Sequence, residues 1–119
     1  MPSSRRFART LGINSRYRGP LSQPKKAIEN YTLIVNDYPT YQALDEVLYY
    51  LAYEYEQASD LKNARSVYYD LIKKRPDSKY IPNAYLAFGE LFYNEAQGDP
   101  SKWALAEQSY TEVTKYPPP

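Results

Sequence analysis

The chain of 119 residues contains neither cysteine nor histidine. Without cysteine no disulfide or thiolate chemistry is possible, and without histidine the commonest general base and the commonest zinc ligand are both missing. These absences weigh against a metalloenzyme and against a nucleophilic hydrolase. The sequence also lacks a GxGxxG stretch, a phosphate-binding loop and a nucleophile elbow, so it predicts no catalytic residues, no metal and no cofactor.

Long apolar runs are absent as well, since none approaches the roughly 20 residues of a membrane span. The first residues lack the apolar core of a secretory signal. Residues 1–26 contain no acidic residue but hold seven of the 15 basic ones, while all 14 acidic residues lie farther along the chain. The sequence therefore predicts a basic arm on an acidic body.

The arm, residues 1–22, is predicted to be irregular because glycine and proline interrupt it. A disordered segment, or the end of an upstream segment, is favoured over a mitochondrial transit peptide. Phe7 and Tyr17 among the bases are compatible with nucleic-acid contact. No nucleic-acid-binding motif accompanies them, so nucleic acid is not a predicted partner. Contact with the acidic body or with anionic lipid stays open.

Three segments of the chain align on an alanine, beginning at Ala27, Ala64 and Ala106. Each has a tyrosine four residues later, an aliphatic residue seven later and a proline twelve later. Offsets of 0, 4 and 7 place side chains on one face of a helix, and proline ends the helix. The residues at these offsets are Tyr31, Tyr68 and Tyr110; Ile34, Leu71 and Val113; and Pro39, Pro76 and Pro118.

Two of the three segments follow a partner stretch, DEVLYYLAYEYEQA or NAYLAFGELFYNEA, with apolar residues at i, i+3, i+4 and i+7. Each partner has one small residue at a matching place, Ala52 or Gly89. Asp60 and Asp99 are expected to cap the helices that follow them, and Pro100 suits a first turn. The predicted helices span about residues 24–37, 41–58, 61–74, 79–97 and 100–115, with no strand.

These recurring positions resemble the tetratricopeptide repeat, a helix–turn–helix unit of about 34 residues. The resemblance implies an all-α fold in which antiparallel helix pairs stack as a right-handed superhelix of about two and a half repeats. The repeat domain spans residues 23–116 and a proline tail spans 117–119. Leu71 departs from the pattern, which has alanine there. The matching residues are Leu48, Leu51, Ala52, Tyr55, Ala64, Tyr68 and Pro76, then Tyr85, Phe88, Gly89, Phe92, Ala106, Tyr110 and Pro118.

The chain is similar to the bacterial cell-envelope branch of the family in having a proline, a short linker and a long first helix. That branch includes the coordinator of the Tol-Pal system and lipoproteins of outer-membrane assembly. It implies a periplasmic location if the chain is part of an envelope protein, and a cytoplasmic one otherwise. Both ends of the repeat array are open, which favours a piece of a longer array. Pairing of the ends with another copy or a partner protein is the alternative.

The family binds its partners in a concave groove lined by the first helix of each repeat. The resemblance therefore implies a binding face on these helices, next to the residues that pack in the core. This binding face would include Tyr50. Tyrosine suits such a face because its ring packs while its hydroxyl hydrogen-bonds. The alternative is that these tyrosines pack beneath a missing helix. The carboxylates are interpreted as an acidic groove for a basic or amide-rich peptide. The predicted partner-binding residues are Tyr49, Tyr53, Glu56, Glu90, Tyr93 and Asn94.

The sequence thus predicts a non-catalytic scaffold that captures a peptide or helix of another protein. The alternative is a structural subunit that associates through its uncapped terminal helices. A catalytic activity would have to depend on Glu46, Glu56 or Glu90, but no catalytic motif surrounds these residues. Trp103 is expected to anchor the core beneath the longer connection, QGDPSK.

Overall fold

The structure, a computed structural model, describes residues 23–118, so the predicted basic arm and Pro119 lie outside the described residues. Helices account for 75% of the described residues and no strand occurs among them, which confirms the predicted all-α fold. A 3₁₀ turn, Pro100–Lys102, precedes the last helix. The α-helices are α1, Pro24–Asp37; α2, Leu44–Gln57; α3, Leu61–Lys74; α4, Ile81–Ala96; and α5, Trp103–Val113.

Helices α1 and α3 begin and end at the predicted residues, whereas the other three are shorter by one to three residues at each end. Helix α2 starts late because its approach is built from successive tight turns. The Tyr41 N–H donates to the Tyr38 carbonyl, and the Leu44 N–H donates to the Tyr41 carbonyl, each at 3.0 Å. Helix α5 starts late because its first predicted turn is the 3₁₀ turn.

The connection between α2 and α3 is short because each helix end is capped locally. Ser59 has φ 61° and ends α2 in a Schellman motif, in which the Asp60 N–H donates to the Tyr55 carbonyl at 2.9 Å. Asp60 then caps α3, since its carboxylate accepts the Asn63 N–H at 3.2 Å and the Asn63 side-chain amide at 2.7 Å. The predicted Asp60 cap is confirmed.

Asp99, which was predicted to cap the last helix, caps the 3₁₀ turn instead, and α5 itself is preceded by Lys102. One Asp99 carboxylate oxygen accepts the Ser101 N–H at 3.1 Å and the Ser101 hydroxyl at 2.6 Å. These two hydrogen bonds lower the pKa of Asp99, because they favour its charged form.

The described chain packs as two compact units, with the boundary inside α3 between Val67 and Tyr68. In the first unit α1 packs against α2. Its core joins residues of both helices, and Val67 of α3 packs against that core. The buried members are Ala27 and Tyr31 from α1 and Val47, Tyr50 and Leu51 from α2.

In the second unit α4 packs against α5. Phe88 of α4 is the centre of an aromatic cluster. Its ring lies 6.4 Å from the ring of Tyr68 and stacks on that of Phe92 at 5.9 Å and 9°. The second half of α3 contributes the buried side chains of Tyr68 and Leu71 to this unit.

The alanines on which the three segments align are buried, as the pattern predicts. Ala27 is 6% exposed, Ala64 is 0% exposed and Ala106 is 2% exposed. Tyr31 and Tyr68, four residues after the first two alanines, are also buried, whereas Tyr110 is half-buried. The shared offsets therefore mark the packing face of each helix.

Gly89 allows the closest approach between α4 and α5. A Cβ at Gly89 would lie 2.5–2.9 Å from three carbon atoms of the Tyr110 ring, which is closer than side chains tolerate. The Tyr110 ring thus occupies the space that any other residue at position 89 would fill. The small residue at position 89, which the sequence pattern shares with Ala52, is therefore required by the contact with Tyr110.

We expect Gly89→Ala to destabilise the protein. Alanine gains about 1 kcal/mol in helix propensity over glycine, but overpacking typically costs about 1–3 kcal/mol. We therefore expect a net loss of roughly 1 kcal/mol in the free energy of unfolding, measured by urea denaturation.

Gly98→Ala is the matched control, since no atom of residues 23–118 lies within 4 Å of a Cβ at that position. We expect its stability to stay within about 0.5 kcal/mol of the original. If both substitutions stabilise the protein equally, Tyr110 does not pack on Gly89.

Candidate functional site

Three of the six predicted partner-binding residues lie on α2, in the first unit. Tyr49, Tyr53 and Glu56 are all half-buried. Tyr49 also packs against the first-unit core, and its ring meets that of Tyr50 edge-on, at 5.2 Å and 81°. The face of α2 that carries Tyr49, Tyr53 and Glu56 is therefore partly a packing surface.

Tyr50 does not lie on an open face, so its predicted place on the binding surface is wrong. It is 8% exposed and belongs to the core with Val47 and Leu51. The physical reason is the register: Tyr50 follows Val47 by three residues and thus shares its packing side. Glu54, which sequence reasoning did not single out, follows Leu51 by three residues and is only 1% exposed.

The other three predicted residues lie on α4, in the second unit. Glu90 and Asn94 are exposed, and the Tyr93 side chain is 47% exposed. Leu86, one turn before Glu90, is 43% exposed and extends the same stripe. The structure thus brings Glu90, Tyr93 and Asn94 together on one open face of α4.

Trp103 is not a core anchor, so this prediction is also wrong. Its side chain is 42% exposed, and its ring packs edge-on against Tyr93, with centroids 5.0 Å apart and an interplanar angle of 82°. It is the first residue of α5, next to the 3₁₀ turn, and from there its ring contacts the exposed Tyr93. Sequence reasoning therefore missed Trp103 as a site residue, although a lone tryptophan is a common binding anchor.

Beside this pair an open groove of about 440 Å³ runs along α5. We call it the Trp103 groove. Its walls combine aromatic rings with one carboxylate and threonines. The residues that define it are Tyr93, Trp103, Ala106, Glu107, Tyr110, Thr111 and Thr114.

The charge around the Trp103 groove is negative. Burial raises the pKa of Tyr110, and the nearby charge of Glu90 raises it further. The bases of this region are engaged elsewhere: Lys102 lies 3.9 Å from the Glu95 carboxylate and Lys115 lies 2.8 Å from the Glu112 carboxylate. Among residues 23–118, no lysine or arginine lines the groove.

The second unit has another depression, of about 310 Å³, which we call the phenylalanine groove. Phe88 and Phe92 line it together with Tyr85. Tyr69 and Leu105 also line it and are 53% and 38% exposed. This groove includes none of the six predicted residues.

None of the helices within residues 23–118 is long and apolar enough to cross a membrane. In the same range no three acidic side chains come together as a candidate metal site.

Comparison of the chain with protein-family models, with curated proteins and with solved structures gives no match in any of the three.

We expect the protein to lose stability as the pH rises above 10.0, the ordinary tyrosine pKa. Burial raises the pKa of both Tyr85 and Tyr110 in the folded state. The unfolded chain therefore loses these protons first, so ionisation favours unfolding. Tyr110→Phe should reduce the difference between the free energies of unfolding at about pH 8 and about pH 11.

The value at about pH 8 serves as the control, because it includes the effect of removing the hydroxyl but no tyrosine ionisation. An unchanged difference in Tyr110→Phe would show that Tyr110 is not shielded from water in the fold.

Proposed function

We propose that the chain is a non-catalytic interaction module that captures a peptide or helix of another protein on its tyrosine-bearing helix faces. One observation carries the proposal: Tyr93 and Trp103, both nearly half exposed, form a perpendicular pair at the edge of an open groove. Large aromatic side chains with few rotors lose little entropy on binding and are typical anchors of interfaces.

The proposed arrangement is a solenoid of tetratricopeptide type, in which α2 and α4 are the first helices of two repeats. The buried alanines at the shared offsets and the contact between Gly89 and Tyr110 support it. In such a solenoid the exposed stripe of Glu90, Tyr93 and Asn94 belongs to the binding surface. Tyr53 and Glu56 are the α2 residues proposed to contact the partner, with Tyr49 contributing its outer edge.

A second candidate function is that of a structural subunit, such as one of a bacterial envelope complex, that associates through its terminal helices. The exposed apolar side chains on α5 favour it, since Trp103 and Leu105 are 42% and 38% exposed on the last helix. In that case the phenylalanine groove, which Leu105 lines, is the contact surface.

We expect Tyr93→Ala to weaken peptide binding. Peptides would be selected from a random display library with the whole chain as bait, and their affinities measured by calorimetry. Because an interface anchor contributes more than about 1 kcal/mol, the dissociation constant should rise at least fivefold or so. Tyr38→Ala is the matched control, since Tyr38 is 64% exposed and lies between α1 and α2, outside both grooves.

Equal loss in both variants, or none in either, would contradict the proposal. Enrichment of no peptide, together with a dimeric mass by light scattering that Leu105→Glu reduces to a monomer, would favour the structural subunit instead.

A further inference from the structure

We propose that the Trp103 groove holds the cationic side chain of a lysine or arginine in the captured peptide, between its aromatic rings and the Glu107 carboxylate. This inference rests on the proposed function, because it names the chemistry of the partner at the same surface.

The aromatic rings of the groove have the arrangement that an organic cation prefers. Tyr93 and Trp103 stand at 82° to each other with centroids 5.0 Å apart, so they form two perpendicular walls of a corner. Tyr110 lines the same groove. A cation within about 6 Å of a ring centroid is attracted to the face of the ring, most strongly for tryptophan.

The carboxylates around the groove give it the complementary charge. Glu107 follows Trp103 by four residues and precedes Tyr110 by three, so it lies beside both on α5. Glu90 lies close enough to Tyr110 for its charge to act on the phenol. Within residues 23–118 neither carboxylate forms an ion pair, whereas Lys102 and Lys115 pair with Glu95 and Glu112.

Elsewhere in the second unit the chain makes the same interaction with its own lysines. The Lys73 ammonium lies 5.4 Å from the ring centroid of Tyr69, and that of Lys79 lies 5.4 Å from that of Tyr80. No basic side chain of the described residues covers the ring of Tyr93 or Trp103 in this way. A cation from the partner therefore supplies what residues 23–118 leave open at this corner.

Trp103 is the only tryptophan of the chain, so its fluorescence reports directly on the groove. The whole chain would be titrated with N-acetyl-lysine N-methylamide and, separately, with the uncharged norleucine analogue. We expect a saturable change in emission with the lysine probe, at a concentration roughly two- to fivefold lower than with norleucine.

Two charge-neutralising variants test the place of binding. Glu107→Gln should weaken binding of the lysine probe by roughly two- to fivefold, because it removes the carboxylate beside Trp103. Glu29→Gln is the matched control, since Glu29 is exposed on α1 in the other unit, and it should leave the affinity unchanged.

The inference is overturned if the lysine probe gives no saturable change, if both probes bind equally, or if the two variants behave alike. Its failure differs from that of the proposed function. If the selected peptides are neutral and still depend on Tyr93, the binding module is supported and the cation site is contradicted. If the lysine probe binds but no peptide is selected, the cation site is supported and the binding module is contradicted.

Discussion

The second unit depends on one close contact, in which the ring of Tyr110 fills the space left by the missing side chain of Gly89. A helix surface without a Cβ lets a neighbouring ring approach the backbone, which fixes the register of α5 on α4. That register places Trp103 beside Tyr93 and aligns Glu107 with both. The candidate site is thus a consequence of helix packing, since none of its residues lies on a long loop.

The abundance of tyrosine follows from the same arrangement. Tyr31 and Tyr68 are 3% and 1% exposed and fill the space beyond their alanines, whereas Tyr93 is 47% exposed on the open face of α4. Tyrosine can serve both places because its ring packs and its hydroxyl tolerates water. The carboxylates of Glu90 and Glu107 make the surroundings of Tyr93 negatively charged. A cationic side chain of the partner matches both the aromatic rings and this charge.

Much of the fold was predictable because helix packing repeats at fixed offsets. The alanine, tyrosine and aliphatic positions specified the buried faces, and Asp60 identified the start of α3, whereas Asp99 caps the 3₁₀ turn that precedes α5. The outward side chains follow no such period. Tyr50 is buried because it lies on the same face of α2 as Val47. The ring of Trp103 packs against that of Tyr93, which lies 10 residues earlier on another helix, and helical periodicity does not predict such a contact. The pair at the centre of the candidate site was therefore only half predicted.

The contact between Gly89 and Tyr110 can be measured directly by nuclear magnetic resonance of the labelled chain. Because the ring lies where a Cβ would be, the Gly89 Hα protons should show strong nuclear Overhauser effects to the Tyr110 ring protons and ring-current shifts. Ordinary helical shifts for Gly89, with no effect to the Tyr110 ring, would contradict the packing register and with it the position of the Trp103 groove.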